Sequence, residues 1–478
     1  MMVNTTSRMR LGAVGATLAL LATACVTTSS DDGATASIQS TTSASAFPST
    51  TSSTSPPAVG TAPETTVPAT IPAPTVTTAA PSRSAVCPEL PDGAPWQTGP
   101  SVGATVLQEG DANEPRVEAV VYPHPDYEGK PWSQWGQGVV LADGRHLSAI
   151  GDHHGENGNS FIFEYNPETA ALTPIADVLS LVQHRTGDWG YGKVHAQMVP
   201  GSCGEIWMST YWGTRRNIEY SDGYRGDLLF AIDPDRRIIS NAGVLYEEHG
   251  VPSLASSPDG GLLYAEAVDP TRERAGPFVV IDPAGGEVVF TDDSHTGFRA
   301  IAVDADGRAY YSQGGGKLAV YDPATNSTST FAAEIPGDFL RAATTPDADG
   351  IIYGVSRDPE VFFALDPAGG VRTLGEARAY TTSLALSPDG STIYSVPDAH
   401  GGAWRAGAPL VAVDTDTGEQ QVIIELADLV AAGFDLRLGG TYNVAVDDKT
   451  IYIGMNAGPV DEPEEGFGEV VLLIVTLP

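Results

Sequence analysis

From residue 85 onward, apolar and polar positions alternate in short runs, each closed by a cluster of turn-forming residues. That period belongs to half-buried antiparallel strands, not to amphipathic helices. Two kinds of turn recur. One is an aspartate–glycine reverse turn that precedes an apolar pair and commonly a tyrosine. Its copies are Ser257-Pro258-Asp259-Gly260 before Leu263-Tyr264, Asp304-Ala305-Asp306-Gly307 before Tyr310, Pro346-Asp347-Ala348-Asp349-Gly350 before Tyr353, and Ser387-Pro388-Asp389-Gly390 before Tyr394. Asp143-Gly144 and Asp447-Asp448 are weaker copies. The second kind ends an apolar strand with Asp-Pro, as in Ile232-Asp233-Pro234, Ile281-Asp282-Pro283, Tyr321-Asp322-Pro323 and Leu365-Asp366-Pro367, with Tyr165-Asn166-Pro167 and Val413-Asp414-Thr415 as divergent copies.

The aspartates of the second turn, at 233, 282, 322, 366 and 414, are spaced by 49, 40, 44 and 48 residues. A period of this size with two hairpin turns per unit means four strands per repeat, the blade of a β-propeller. First strands begin near Gln137, His195, Val251, Phe298, Leu340, Thr382 and Tyr442, which predicts seven blades. The seventh runs out after a third strand over residues 470–476, so residues 117–122, ahead of blade one, are its natural fourth strand. Closing the ring that way removes the exposed sheet edges. The expected class is therefore all-β: a seven-bladed propeller of four-stranded antiparallel blades, closed by an N-terminal strand, with helix confined to residues 178–183 and 426–432.

Ahead of this domain the pattern changes twice. Arg8 and Arg10 are followed by an apolar stretch over residues 11–24, too short to span a bilayer, and then by Cys25, the layout of an export signal. Leu21-Ala22-Thr23-Ala24-Cys25 resembles a bacterial lipobox, with Ala22 where that pattern prefers leucine, and the resemblance implies lipidation at Cys25. The alternative is simple cleavage after Ala22-Thr23-Ala24, releasing a secreted protein. Residues 26–84 are almost wholly Ser, Thr, Ala, Pro and Val without periodicity, and cannot bury enough surface to offset their ordering entropy. The expected organisation is a signal peptide over residues 1–24, a lipidated cysteine and stalk over 25–84, and the propeller over 85–478. Such a chain is tethered to the outer face of the cell membrane.

Composition supports that reading and narrows the partners. The 478 residues carry 25 Lys+Arg against 60 Asp+Glu, a formal net charge of -35, which argues against a nucleic-acid or anionic-membrane surface. Three cysteines leave Cys87 and Cys203 as an even pair once Cys25 is acylated, and in an oxidising compartment they predict a disulfide pinning the start of the domain to its wall.

The Asp-Pro and Pro-Asp-Gly turns at this spacing resemble the bacterial secreted propellers with YVTN- or NHL-type repeats, including the streptogramin-lyase-like and gluconolactonase-like proteins. The resemblance spans about residue 139 to the C-terminus and is specific for fold, because the shared residues are turn chemistry. Two further blocks look like those of exported bacterial propellers: Gly151-Asp152-His153 with Glu164-Tyr165-Asn166-Pro167, and Gly192-Lys193-Val194-His195 with Ser209-Thr210-Tyr211-Trp212-Gly213-Thr214-Arg215. Quinone-dependent propellers share the period, but the tryptophan they carry after each Thr-Gly turn is missing after Asp416-Thr417-Gly418.

In a propeller the loops entering each first strand converge over the central channel. Aligning the blades places His195, Pro252, Arg299, Arg341, Thr382 and Tyr442 at equivalent entry positions. Loops on the same face bring Asp152, His153, His154, Trp212, Arg215, Arg216, Arg357, His400, Trp404 and Asn456. Arg299 and Arg341 aim two guanidinium forks at the channel of an acidic protein and suit a carboxylate or phosphate. Trp212, Trp404 and Tyr442 offer faces for sugar stacking, and Arg215 and Thr382 add polar contacts. His195 is the candidate base, and His153, His154, His195 and His249 with Asp152 are candidate ligands for a divalent metal such as manganese, calcium or zinc. The expected function is a monomeric surface lipoprotein that binds an anionic small molecule or glycan fragment at the channel mouth. A metal-dependent lyase or lactonase-like hydrolase acting on sugar acids at the same face, and a protein-interaction scaffold, are the alternatives.

Overall fold

The computed structural model describes residues 87–478 except 89, 91, 183, 185–186, 214–217, 219–222, 272–275, 294–298 and 463–465. The export signal, Cys25, the stalk, Arg215, Arg216 and Phe298 lie outside the described residues.

Seven antiparallel sheets follow one another along the chain, as the turn period predicts. Blade one is built from Val139–Val140, His146–Gly151, Ser160–Asn166 and Ala171–Asp177, and blade two from Val199–Pro200, Ile206–Ser209, Leu228–Asp233 and Ile238–Val244. Blades three to six each hold four strands in sequence order, opening with Gly250–Ser256, Ala302–Val303, Phe339–Ala343 and Ala385–Leu386. Blade seven carries Leu436–Asp447, Thr450–Pro459 and Glu469–Thr476, and its fourth strand is Arg116–Val121, paired in register from Val471 opposite Val121 to Thr476 opposite Arg116. The ring therefore closes with N-terminal chain, where the sequence placed the closing strand.

One expectation is corrected. Blades one, two and seven have five strands, because the segment before the closing strand adds an outer strand to each. Ala94–Pro95 pairs with blade two, Val102–Gly103 with blade one, and Thr105–Gln108 with blade seven. The two- and four-residue lengths of these additions are too short to show as a hydrophobic period. Cys87 and Cys203 are joined, with Cα atoms 5.5 Å apart, so the same segment is tied covalently to blade two. Helix appears where expected, at Val178–Leu181 and Ala427–Phe434. Asp177 caps the first by accepting from the Ser180 N–H, and Asp435 ends the second in the left-handed region, φ 57°. Among the described residues no helix is long and apolar enough to cross a membrane.

The core lies between blades. Tyr264 and Phe278 of blade three pack on Tyr311 and Tyr321 of blade four, with the Phe278 and Tyr311 rings stacked at 3.9 Å. Burial on both faces explains why strands such as Phe278–Asp282 read as apolar runs.

The repeated turns work by side-chain capping. In the Asp-Pro turns the aspartate accepts from main-chain N–H groups two or three residues on: Asp282 from Ala284 (3.0 Å) and Gly285 (3.2 Å), Asp322 from Ala324 (2.8 Å), Asp366 from Ala368 (2.8 Å). In the aspartate–glycine turns the tyrosine has a defined role. Asp347 accepts from the N–H groups of Asp349 and Ile351, both at 2.9 Å, and from the Tyr353 hydroxyl at 2.7 Å, an arrangement that Asp304 repeats with Tyr310 at 2.8 Å. One carboxylate thus holds the turn and the next strand together. Asp347→Ala strands two amide donors and a phenol, and is expected to lower unfolding free energy by about 2 kcal/mol in a denaturant titration. A change below about 0.5 kcal/mol would mean that water replaces the carboxylate.

Candidate functional site

The channel mouth is assembled by irregularities of the innermost strands. The pairing register shifts between Leu340 and Ala342, on either side of Arg341, between Thr441 and Asn443, on either side of Tyr442, and between Gly250 and Ser253, where Val251 and Pro252 lie. Such bulges insert one residue and re-aim its side chain. Arg299 sits just before the first strand of blade four with φ 81°, a left-handed conformation that a residue with a Cβ rarely adopts.

His195 is the centre of the group. It lies in the approach to the first strand of blade two and is 4% exposed. Its Nδ1 donates to the Pro252 carbonyl at 3.0 Å. A carbonyl only accepts, so Nδ1 carries the proton and Nε2 presents its lone pair. Nε2 is buried with no hydrogen-bond partner among the described residues. Burial, followed by the charges of Arg299, Lys193 and Arg341, holds the imidazole well below its usual range, so it is neutral at physiological pH.

The three cations named there line the same space. The Arg341 guanidinium donates from Nε to the Tyr380 hydroxyl at 2.8 Å and from Nη1 to the Thr382 carbonyl at 3.5 Å, and lies 5.3 Å and 5.6 Å from the ring centres of Tyr380 and Tyr442. Its Nη2 is buried without a hydrogen-bond partner among the described residues. The Lys193 ammonium stands 4.0 Å from the Trp135 ring and 5.5 Å from that of Tyr211, and Lys193 pairs with Tyr211 through the backbone. The rings of Tyr211 and Tyr442 flank His195 at 5.2 and 6.2 Å. Partly exposed Trp212, Arg299 and Tyr380 and exposed His400 surround this floor, linked by the Tyr211–Trp212 stack at 4.0 Å and the Tyr380–His400 contact at 4.5 Å. The result is a mostly buried cluster of cations and aromatic rings around His195, inside a protein of net charge -35.

Beneath it lies Glu266, fully buried on the second strand of blade three. Burial pushes its carboxyl up to about 8, against the lowering pull of the Ala300 and Arg299 amides and of the Arg341 charge. Its folded pKa stands above the unfolded one, so its stabilisation is complete below about pH 4.5 and is lost as pH rises towards 8. Glu266→Gln stays neutral throughout. Between pH 6.5 and 7.5 the difference in stability between variant and parent is expected to grow by about 1 kcal/mol in the variant's favour. Parallel profiles in denaturant titrations would show that Glu266 is already ionised.

The remaining sequence candidates separate into those near the recess and those that brace the fold. Thr382 donates to the Thr441 carbonyl at 2.5 Å and joins the inner strands of blades six and seven; its contribution to the site is the carbonyl that faces Arg341. Tyr442 is only 3% exposed and presents no open face to a sugar, whereas Trp404, partly buried against the core of blades six and seven, lies 5.2 Å and 4.8 Å from the guanidinium groups of Arg405 and Arg437. Asn456 clamps the backbone of Gln134 by two hydrogen bonds of 2.7 and 2.9 Å. Arg357 pairs with Asp358 and covers Tyr380.

The five metal candidates are not gathered. Asp152 is occupied by the Tyr127 hydroxyl and the N–H groups of His154 and Asn159, His153 Nδ1 faces Ser133 and Pro131, His154 Nε2 faces the Glu128 carbonyl, and His249 Nδ1 faces the Glu247 carbonyl. Among the described residues no three His, Cys, Asp or Glu side chains stand close enough to hold a metal ion. At His195 the surrounding charges are cationic, which opposes a divalent cation. The donor set does not fit such a metal.

Lys193, Trp135, Tyr211, Tyr380 and Glu266 were not picked out as site residues by sequence. Lys193 and Tyr211 both fall inside the second of the two blocks that resemble exported propellers; Trp135, Tyr380 and Glu266 have no local signal at all. A separate concavity of about 190 Å³, lined by His184, Asp188, Trp189, Arg225 and Asn241 among others, shares no residue with the recess.

The molecule is thus a seven-bladed propeller with a mostly buried cluster of cations and aromatic rings around His195. Among solved structures it is similar to virginiamycin B lyase from Staphylococcus aureus, matching all of that chain and 76% of this one. The selenomethionine-substituted enzyme gives 13% identity and a TM-score of 0.47, and a catalytically inactive variant with quinupristin gives 12% and 0.48. No protein-family model matches the chain, and no curated protein matches it. The seven-bladed architecture stands on the strand pairing itself.

Proposed function

We propose that this chain is an extracytoplasmic, lipid-anchored propeller that binds a compact small-molecule anion at its channel mouth. The observation that carries the reading is the convergence of Lys193, Arg299 and Arg341 on a neutral His195 in a buried aromatic recess. Three like charges, two of them buried, repel one another, and an anion between them relieves that repulsion. The burial of the cluster, with His195 and Arg341 each 4% exposed, favours a small anion over an extended glycan. Anchoring rests on Arg8, Arg10, the apolar stretch and Cys25, with the stalk as spacer.

Calorimetric titration of the purified protein with small carboxylates at low and moderate salt tests this. Binding that weakens as salt rises, with neutral polyols inert, is the expected outcome. Preferential binding of polyols would reject it. A second reading, a lyase or hydrolase, is favoured by one feature: the buried Nε2 lone pair is placed to accept a proton from a bound substrate whose negative charge the cations hold. Product formation from sugar-acid lactones or uronates, lost in His195→Ala, separates the two.

A further inference from the structure

Two polar atoms in the recess have opposite and unmet requirements. Arg341 Nη2 can only donate, His195 Nε2 can only accept because Nδ1 holds the proton against Pro252, and both are buried without a hydrogen-bond partner among the described residues. They share a wall: the Tyr442 ring centre is 5.6 Å from the Arg341 guanidinium carbon and 6.2 Å from the His195 ring centre.

A plain carboxylate answers only half of this. Its oxygens satisfy the guanidinium but set negative charge against the imidazole lone pair. A cationic donor would satisfy the imidazole, but Arg299, Lys193 and Arg341 repel it. The complementary ligand carries a negative oxygen and, on the adjoining atom, a neutral O–H. From this we infer that the occupant of the mouth is a compact hydroxy acid, its carboxylate against Arg341 and its hydroxyl hydrogen on His195 Nε2. The inference rests on the anion-binding reading and narrows it to one chemical class, with His195 as the specificity-determining residue.

The test compares ligands that differ at one atom. Lactate, propionate and alanine form one series, and malate, succinate and aspartate a second; each offers the same carbon frame with a hydroxyl, a hydrogen or an ammonium. Affinities are measured by calorimetry on the purified protein at pH 7, with inorganic phosphate alongside. The hydroxy acid is expected to bind at least tenfold tighter than the other two members of its series and than phosphate, since the unhydroxylated acid leaves a buried acceptor unpaired. His195→Phe, which keeps a ring in the site and removes the acceptor, should reduce lactate to the affinity of propionate.

Equal binding of lactate and propionate by the unaltered protein overturns the inference and leaves anion binding standing. Tightest binding of alanine, aspartate or phosphate also overturns it. Failure of every acid and of phosphate to bind overturns the anion-binding reading itself. The ligand series needs no variant, so the test holds even where His195→Phe fails to fold.

Discussion

Arg341→Ala is expected to weaken small-carboxylate binding by about a hundredfold while leaving the propeller folded. Arg341 is the cation whose placement the structure defines most fully, held by Tyr380 and Thr382, set on a register shift of the innermost strand of blade five, and left with Nη2 unpaired among the described residues. Losing it removes a charge-assisted contact from Nη2 at a buried position, where water screens poorly. The fold should tolerate the change. Tyr380 is only partly buried and can turn its hydroxyl to water, and removing one of three gathered cations relieves repulsion. Calorimetry and a thermal melt on the same preparation check both halves. Arg341→Lys keeps the charge without the planar fork, so its affinity should fall between the two. Unchanged affinity in Arg341→Ala, with the ring intact, would falsify the assignment of the site to this recess.

The second large effect concerns stability. The Cys87–Cys203 bond closes a loop with a sequence separation of 116 residues, and within it run the three outer strands and the closing strand of blade seven. In the chain-entropy account a loop of about this length is worth roughly 4 to 5 kcal/mol, a large share of the roughly 5 to 15 kcal/mol by which domains are stable. Cys87→Ser is therefore expected to move the denaturant midpoint down sharply. Hydrogen exchange should quicken first at the amides of Ala94, Trp96, Val102 and Gly103, in short pairings that have little else to hold them. A midpoint within error of the parent's would mean that closure by Arg116–Val121 alone anchors the N-terminal segment.

Reading the fold from sequence succeeded where the determinant is local. Asp282, Asp322 and Asp366 each cap a turn within three residues of themselves, and Asp304 and Asp347 reach a tyrosine six residues on, so turn and partner are visible together in the chain. Repetition of those local devices counted the blades, and the missing strand of blade seven pointed to its replacement. Ala94–Pro95 and Val102–Gly103 escaped because two residues have no period, and because each pairs with a strand far along the chain.

The site divides the same way. Counting from the turns gives His195, Arg299, Arg341, Thr382 and Tyr442 as entry positions, and the structure brings His195 and Arg341 against the Tyr442 ring while Thr382 offers Arg341 only its carbonyl. What each does there was not legible. The turned Arg341 and Tyr442 side chains arise from register shifts against neighbouring strands, and the burial that keeps His195 neutral comes from elements distant in sequence. Trp135, Lys193 and Tyr380 come to the cluster from loops of three different blades, while hydrogen bonds occupy Asp152 and His249 within their own loops and His153 and His154 against the segment ahead of blade one. By itself the sequence determined the strand period, the seven-fold ring and its closing strand, since these follow from turn chemistry a few residues long. Only the tertiary structure decided which of those residues meet, which nitrogen of His195 is left open and how deep the recess lies, because charge, burial and hydrogen-bond competition are set by neighbours that the chain brings together from hundreds of residues apart.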